Sequence, residues 1–312
     1  MFATQDRGRF WRRVVKVSSI SDSASPSDLN EHGRWLMQEG ELDAAERTFQ
    51  AAVDKEPRLW TAWFNLGLIY KQRRAWSNAA RSNQRAAELS QARAGDAVWW
   101  NLGIAATALR DWEVARRAWT AYGVTLPAGT GPIAGDFGRA CVRINPESKP
   151  EVIWVRRLDP ARGRIESVPL RESEHRWGDV VLHDGAPNGR RVVGGRTYPV
   201  FDELERWEAS STPTQTASIT CVTPADAVAL QETFEQAQLA AEDWTESFEL
   251  LCKACSEGTP DPSHRHREEK VWKTERDFGL AAPMNEANRL LSLWAAEAPA
   301  SRVVLRIDGS SA

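Results

Sequence analysis

The stretch Trp63–Ala79, WFNLGLIYKQRRAWSNA, decides how the first third of the chain is read. Gly67 stands between Leu66 and Leu68, with Trp63 and Tyr70 on either side and Trp76 and Ala79 following. The same pattern returns in both directions. Gly33 lies 34 residues before Gly67, and Gly103 lies 36 residues after it. Leu29, Leu36, Gly40, Ala45, Phe49, Ala52 and Pro57 surround the first glycine; Trp99, Leu102, Trp112, Ala115, Trp119 and Pro127 surround the third. Self-similarity at such a period marks a repeat of one supersecondary unit. The glycines let two helices of a unit approach closely, and Ala45, Ala79 and Ala115 receive the next helix. Pro57 and Pro127 are expected to end the second helix of their units, because proline removes a ladder donor and clashes with the preceding turn. One unit cannot bury its apolar face alone, so three stacked units share a core.

On these residues the segment of about 27–127 resembles the tetratricopeptide repeat, a helix–turn–helix unit. Three departures stand out. His32 occupies a usually apolar position, Asn83 replaces the aromatic seen at Phe49 and Trp119, and extra residues near Ala94–Gly95 loosen the third unit. The resemblance implies a concave groove lined by the first helix of each unit, here Asn30, Arg34, Phe64, Asn65, Leu68, Lys71, Trp100, Asn101 and Ile104. Some members hold a partner's C-terminal carboxylate in a clamp of Lys, Asn and Arg. Asn65 fits that clamp, whereas Ala97 and Asn101 stand where Lys and Arg are needed. An apolar, aromatic groove is expected instead, with Asn65 and Asn101 holding a peptide backbone and Phe64 and Trp100 anchoring an apolar side chain. The alternative is that Trp100 and its neighbours pack against the chain's own C-terminal half.

Composition bounds the rest. The 312 residues carry 40 basic and 43 acidic side chains, a net charge of −3, which argues against a strongly basic nucleic-acid protein. No apolar run approaches membrane-spanning length. Arg outnumbers Lys 33 to 7, and eight of the 15 Trp lie between Trp35 and Trp119. Arginine stacks on aromatic faces, although a GC-rich genome also yields this bias. Residues 1–26 interleave Arg7, Arg9, Arg12, Arg13 and Lys16 with apolar residues and end in a Ser-rich stretch. They are expected to be a disordered basic tail, with lipid contact or organelle targeting as alternatives.

Beyond a Gly/Pro linker at 128–138 the period changes to alternation. A small β-rich, barrel-like domain is expected over 139–208, with Val152–Arg157, Arg164–Val168 and a short Val180–Leu182 as strands. Asp184-Gly185, Asn188-Gly189 and Gly194-Gly195 read as turns. His183-Asp184 is a weak candidate for a base with its orienting partner, since no nucleophile motif accompanies it. Residues 215–308 read as β-α-β-β-α-β, a ferredoxin-like split sandwich. Its elements are a strand over Thr216–Val222, a helix from Thr223-Pro224 to about Ala240, strands at Phe248–Cys252 and Glu275–Ala282, a helix around Leu290–Trp294, and a strand at Val303–Ile307. The fold class is therefore multi-domain, α followed by α+β.

One cluster is chemically sharp. Cys252, Cys255, His264 and His266 have the spacing C-x2-C-x8-H-x-H. Two thiolates from a knuckle and two imidazoles from one face of an extended segment suit tetrahedral Zn²⁺. Four protein ligands leave no open position, so the zinc is expected to be structural. Cys141 and Cys221 read as small buried thiols, which suits a reducing, cytoplasmic setting. The expected function is a non-enzymatic adaptor that docks a protein or peptide. The alternative is nucleic-acid binding through Arg156, Arg157, Arg162, Arg164, Arg190, Arg191 and Arg196 of the middle domain. An uncharacterised enzyme resting on His183 is the third class.

Overall fold

A computed structural model describes residues 23–193, 195–245 and 272–309. The chain parts into two compact units, one ending at Arg93 and one beginning at Ala94. The expected break was the 128–138 linker. The division falls earlier, inside the expected helical stack.

Unit one is two antiparallel helix pairs: α1 (Pro26–Gln38) with α2 (Leu42–Lys55), and α3 (Trp60–Gln72) with α4 (Trp76–Ser90). Ser25 caps α1, accepting from the Asp28 amide while the Asp28 carboxylate reaches back to the Ser25 amide; Pro26 fills the first turn. Leu29, Ala45, Phe49, Ala62, Leu66 and Ile69 form a continuous core across α1, α2 and α3. Arg73 pairs with both Asp43 and Glu46, tying the end of α3 to α2.

Each repeat glycine works by what it lacks. A Cβ at Gly33 would lie 2.7 Å from the Phe49 ring, and one at Gly67 would lie 2.5 Å from the Asn83 amide. In unit two, a Cβ at Gly103 would lie 2.7 Å from the Trp119 ring. The three glycines face residues at the same spacing, so the third pair, α5 (Ala97–Ala108) and α6 (Trp112–Tyr122), is built like the other two. Pro57 follows the end of α2 as expected. Pro127 does not end α6: Gly123 does, in the left-handed region at φ 108°, four residues earlier.

The rest of unit two holds two sheets. Strands β1 (Arg139–Ile144), β2 (Glu151–Arg157), β3 (Arg162–Ile165), β4 (Val180–Val193) and β5 (Arg196–Glu208) close into a barrel, with β1 and β5 pairing in parallel at Cys141–Val200. Ala140, Val142, Ile144, Ile153, Val155, Ile165 and Val181 fill its interior. The expected short strand at 180–182 is instead 14 residues long. Asp184-Gly185 and Asn188-Gly189 do not turn the chain; they mark irregularities in the β4–β5 ladder, which runs on to Val193–Arg196. Gly195, at φ 74°, belongs to the actual turn.

The second sheet has the order β7-β8-β6-β9, from β6 (Thr214–Cys221), β7 (Ala240–Asp243), β8 (Glu275–Ala281) and β9 (Arg302–Asp308). All its pairings are antiparallel. Helices α7 (Pro224–Gln236) and α8 (Met284–Glu297) bury Leu230, Phe234, Leu290, Leu291 and Trp294 with Ala217, Ile219, Phe278 and Leu280 of the sheet. Helix α7 ends four residues before the expected Ala240. Gln238 takes a left-handed φ of 59°, and Leu239 bonds back to the Phe234 carbonyl. The strand after α7 is therefore Ala240–Asp243; the expected Phe248–Cys252 strand lies outside the described residues. Burial pushes the Asp226 carboxyl up, but Arg302 and the Thr223 cap outweigh it and hold it at about 2.

Candidate functional site

The nine groove residues fall into two groups. In unit one, Asn30 and Asn65 are buried neighbours, and Asn65 Nδ2 donates to Asn30 Oδ1 at 3.0 Å. This bond fixes both amides and joins α1 to α3. Arg34 is exposed and pairs with Glu31 one turn away at 3.0 Å. Phe64, Leu68 and Lys71 are half-buried along α3. Leu68 and Lys71 sit one and two turns on from Phe64, so a single stripe carries an aromatic, an aliphatic and a cationic side chain.

In unit two the corresponding residues are differently engaged. Asn101 is buried and donates to the Ala97 carbonyl at 3.0 Å, and Ile104 is fully buried. Trp100 packs edge-on against Trp119 and Tyr122, with ring centroids 5.0 Å and 4.8 Å apart. Its indole also lies against Gly185 of β4, in the space that a Cβ there would need. The Trp100 ring, half-buried as Phe64 is, therefore packs on one side against the chain's own barrel, which is the alternative raised for it. The physical reason is that α5, AVWWNLGIAATA, is apolar on every side, and such a helix has to be covered all round.

The third pair is tied to the barrel a second time. The Arg162 guanidinium lies 4.8 Å from the Trp112 ring of α6 and 4.4 Å from the Trp207 ring of β5. It also bonds Asp159 at 2.6 Å and the Ile133 carbonyl of the linker at 2.6 Å. Arg110, just beyond α5, stacks on Trp207 at 4.0 Å. Arg116 of α6 donates to the carbonyls of Pro127 and Gly131. Arg139 and Arg191 stack on Trp154, Arg276 on Trp272 and Arg302 on Trp294. Among the described residues, six arginines are thus engaged in stacking on five tryptophans. Trp112, Arg162 and Trp207 carry no joint signal in the sequence beyond a neighbouring helix without a polar face.

His183 is fully buried. It accepts no visitor from solvent, its Nδ1 lies 2.8 Å from the Asp184 carbonyl, and its ring stacks on Phe201. Burial pushes its pKa down. It is placed as a core residue, and the Asp184 carboxylate accepts the Gly185 amide instead of orienting a base. A second buried histidine, His175, bonds Glu203 at 2.7 Å. Burial draws its pKa down, but Glu203 outweighs this and the net shift is upward.

The barrel and the second sheet are joined by the strap 166–170. Glu151 of β2 accepts the Leu170 amide at 3.2 Å, Glu242 of β7 accepts the Val168 amide at 2.6 Å, and the Trp244 indole donates to the Val168 carbonyl. Burial, and then nearby Glu242, push Glu151 up to about 7.

Cys252, Cys255, His264 and His266 lie outside the described residues. Among the described residues no group of His, Cys, Asp and Glu could hold a metal ion.

No protein-family model matches the chain, and no curated protein matches it. Among solved structures, a Thermobaculum terrenum O-GlcNAc transferase mutant is similar at 23% identity over 33% of this chain and 20% of that one, with a TM-score of 0.29. A CopN–Scc3 complex is similar at 18% identity over 31% of this chain and 56% of that one, TM-score 0.29. Pseudomonas aeruginosa pilF is similar at 20% identity over 33% of this chain and 46% of that one, TM-score 0.30. The chain spans between a fifth and just over half of the length of these proteins.

Proposed function

We propose that this chain is a non-enzymatic interaction protein of tetratricopeptide type that docks a peptide or segment of a partner protein across α1 and α3. The observation that carries the reading is the unit-one stripe. The Asn30–Asn65 bond presents two fixed amides, and Phe64, Leu68 and Lys71 beside them remain partly open to solvent. Such a stripe offers an apolar anchor and a cationic end to an extended partner. With Trp100 packed against Gly185 of β4, docking rests on Asn30, Arg34, Phe64, Asn65, Leu68 and Lys71. Capture of the partner from the native cell by the full chain is the test. Phe64→Ala with Leu68→Ala is expected to abolish capture with folding intact; undiminished capture contradicts the proposal.

The second sheet, with parallel β6 and β7 separated by antiparallel β8, supports reading 215–308 as a ferredoxin-like sandwich. A structural zinc held by Cys252, Cys255, His264 and His266 rests on their spacing alone. Elemental analysis is expected to give about one zinc per chain, lost in Cys252→Ser with Cys255→Ser. Among the described residues no helix is long and apolar enough to cross a membrane. Free, buried Cys141 and Cys221 support a reducing, cytoplasmic setting.

A further inference from the structure

Five of the seven arginines of the middle domain fall into two sets on the barrel, and Arg139 joins them. Inward or stacked are Arg157, which donates to the Phe137 carbonyl, Arg162 in its Trp112–Trp207 joint, and Arg191, which bonds the Val152 carbonyl and stacks on Trp154. The register places another set on the outside. Arg139 of β1 is paired with Arg156 of β2, and Arg156 is paired with Arg164 of β3. The inner positions beside them, Ala140, Val155 and Ile165, belong to the barrel core, so all three arginines share the outer face. Three guanidinium stems thus stand in one row across adjacent strands, spaced about 4.7–4.9 Å at the backbone.

Like charges directly opposite each other destabilise a sheet. Glu166 relieves part of this by bonding Arg139 at 2.7 Å and Arg156 at 3.1 Å, and Asp136 bonds Arg156 at 3.1 Å. Arg139 and Arg156 nevertheless keep about half of their side-chain surface, 51% and 45%. Arg164 is exposed, and its side chain has no ion pair or hydrogen bond among the described residues. The next row on this outer face carries Trp154, whose ring is engaged by the guanidinium groups of Arg139 at 4.7 Å and Arg191 at 5.3 Å. That ring steadies the arginines and is not an open platform for a base.

We propose that this outer barrel face binds the phosphodiester backbone of a single-stranded nucleic acid, with Arg139, Arg156 and Arg164 as the contact row. A row of planar donors, with Arg164 unpaired and Arg139 and Arg156 half-exposed beside Glu166 and Asp136, matches a polymer carrying one charge per repeat. The occupied Trp154 ring makes the recognition one of backbone and not of sequence. The face lies in unit two and uses none of the peptide-docking residues, so it stands or falls separately from the docking proposal.

The test is anisotropy of a labelled uridine oligomer of roughly twelve nucleotides with the full chain across a salt series. With three phosphate contacts, affinity is expected to fall about twentyfold between about 50 and 200 mM salt. Arg164→Glu, which breaks no internal pair, is expected to weaken binding at least about tenfold and reduce the salt slope by about 1. The charge-matched control Arg81→Glu, in unit one, is expected to bind as the parent does. No binding at about 50 mM salt, equal binding by the Arg164 variant, or equal displacement by polyglutamate overturns the proposal.

Discussion

The pair α3–α4 and the pair α5–α6 follow one sequence pattern and end in different circumstances. Both place a glycine against the residue sixteen positions on, Asn83 in one and the fully buried Trp119 in the other. Both begin with a tryptophan-rich first helix. Yet α3 keeps Leu68 partly open where α5 fully buries the equivalent Ile104, and Trp100, half-buried as Phe64 is, packs against Gly185 of the barrel. A repeat pattern therefore specifies how a pair is built inside. What its outer faces meet is decided by the residues the pattern leaves free.

The largest effect that separates the two pairs is expected at Trp100. Trp100→Ala removes a ring packed on Trp119, Tyr122 and Gly185, and should destabilise unit two by about 3–5 kcal/mol in chemical denaturation. Phe64→Ala should cost less than half of that, and equal losses would erase the distinction.

A pH difference comes next. Glu151 is held above the ordinary carboxylate value in the folded state, at about 7, so folding favours its neutral form. Its contribution is most favourable below the ordinary value near ~4.3 and is lost as pH rises to about 7. His175 acts in the same direction: its stabilisation is present below its ordinary value and lost as pH climbs past its raised one. Unit two should therefore melt lower at pH 8 than at pH 5, and Glu151→Gln should recover about 2–3 kcal/mol of the difference. An unchanged pH profile in that variant counts against the strap geometry.

Smaller effects probe the glycine contacts. Gly103→Ala should cost about 1–3 kcal/mol, because the Trp119 ring has nowhere to go. Gly67→Ala should cost less, because Asn83 is a smaller neighbour. The smallest change should be a gain. Asn83 is fully buried, and its Oδ1 has no hydrogen-bond partner among the described residues. Asn83→Leu is expected to stabilise unit one by about 1 kcal/mol in urea unfolding.

The helix pairs were legible because a glycine, an alanine and a bulky residue recur at fixed offsets, and packing at those offsets is local. The alternation at Val152–Arg157 likewise marked β2 as a strand, but not which of its faces is the wet one. The length of β4 was not legible: Asp184-Gly185 and Asn188-Gly189 have turn composition, but they serve an irregular ladder, and Gly185 makes room for an indole 85 residues earlier. The end of α7 was hidden for a related reason, since Gln238 adopts a left-handed conformation that no glycine announces. In the candidate site, Asn30 and Asn65 were recognisable by their place in the repeat, but their bond to each other was not. The joint of Trp112, Arg162 and Trp207 comes from three distant segments. Only the lack of a polar face on α5 hinted that something packs against it.

The most direct test of this account is hydrogen exchange of α5 beside β4. Peptides covering 97–108 and 180–193 are expected to exchange at one slow rate and to lose protection together in Gly185→Ala, where the added methyl displaces the Trp100 indole. Fast exchange of α5 while β4 stays protected, or a Gly185→Ala chain in which neither segment changes, would contradict the assignment of the third helix pair to the barrel.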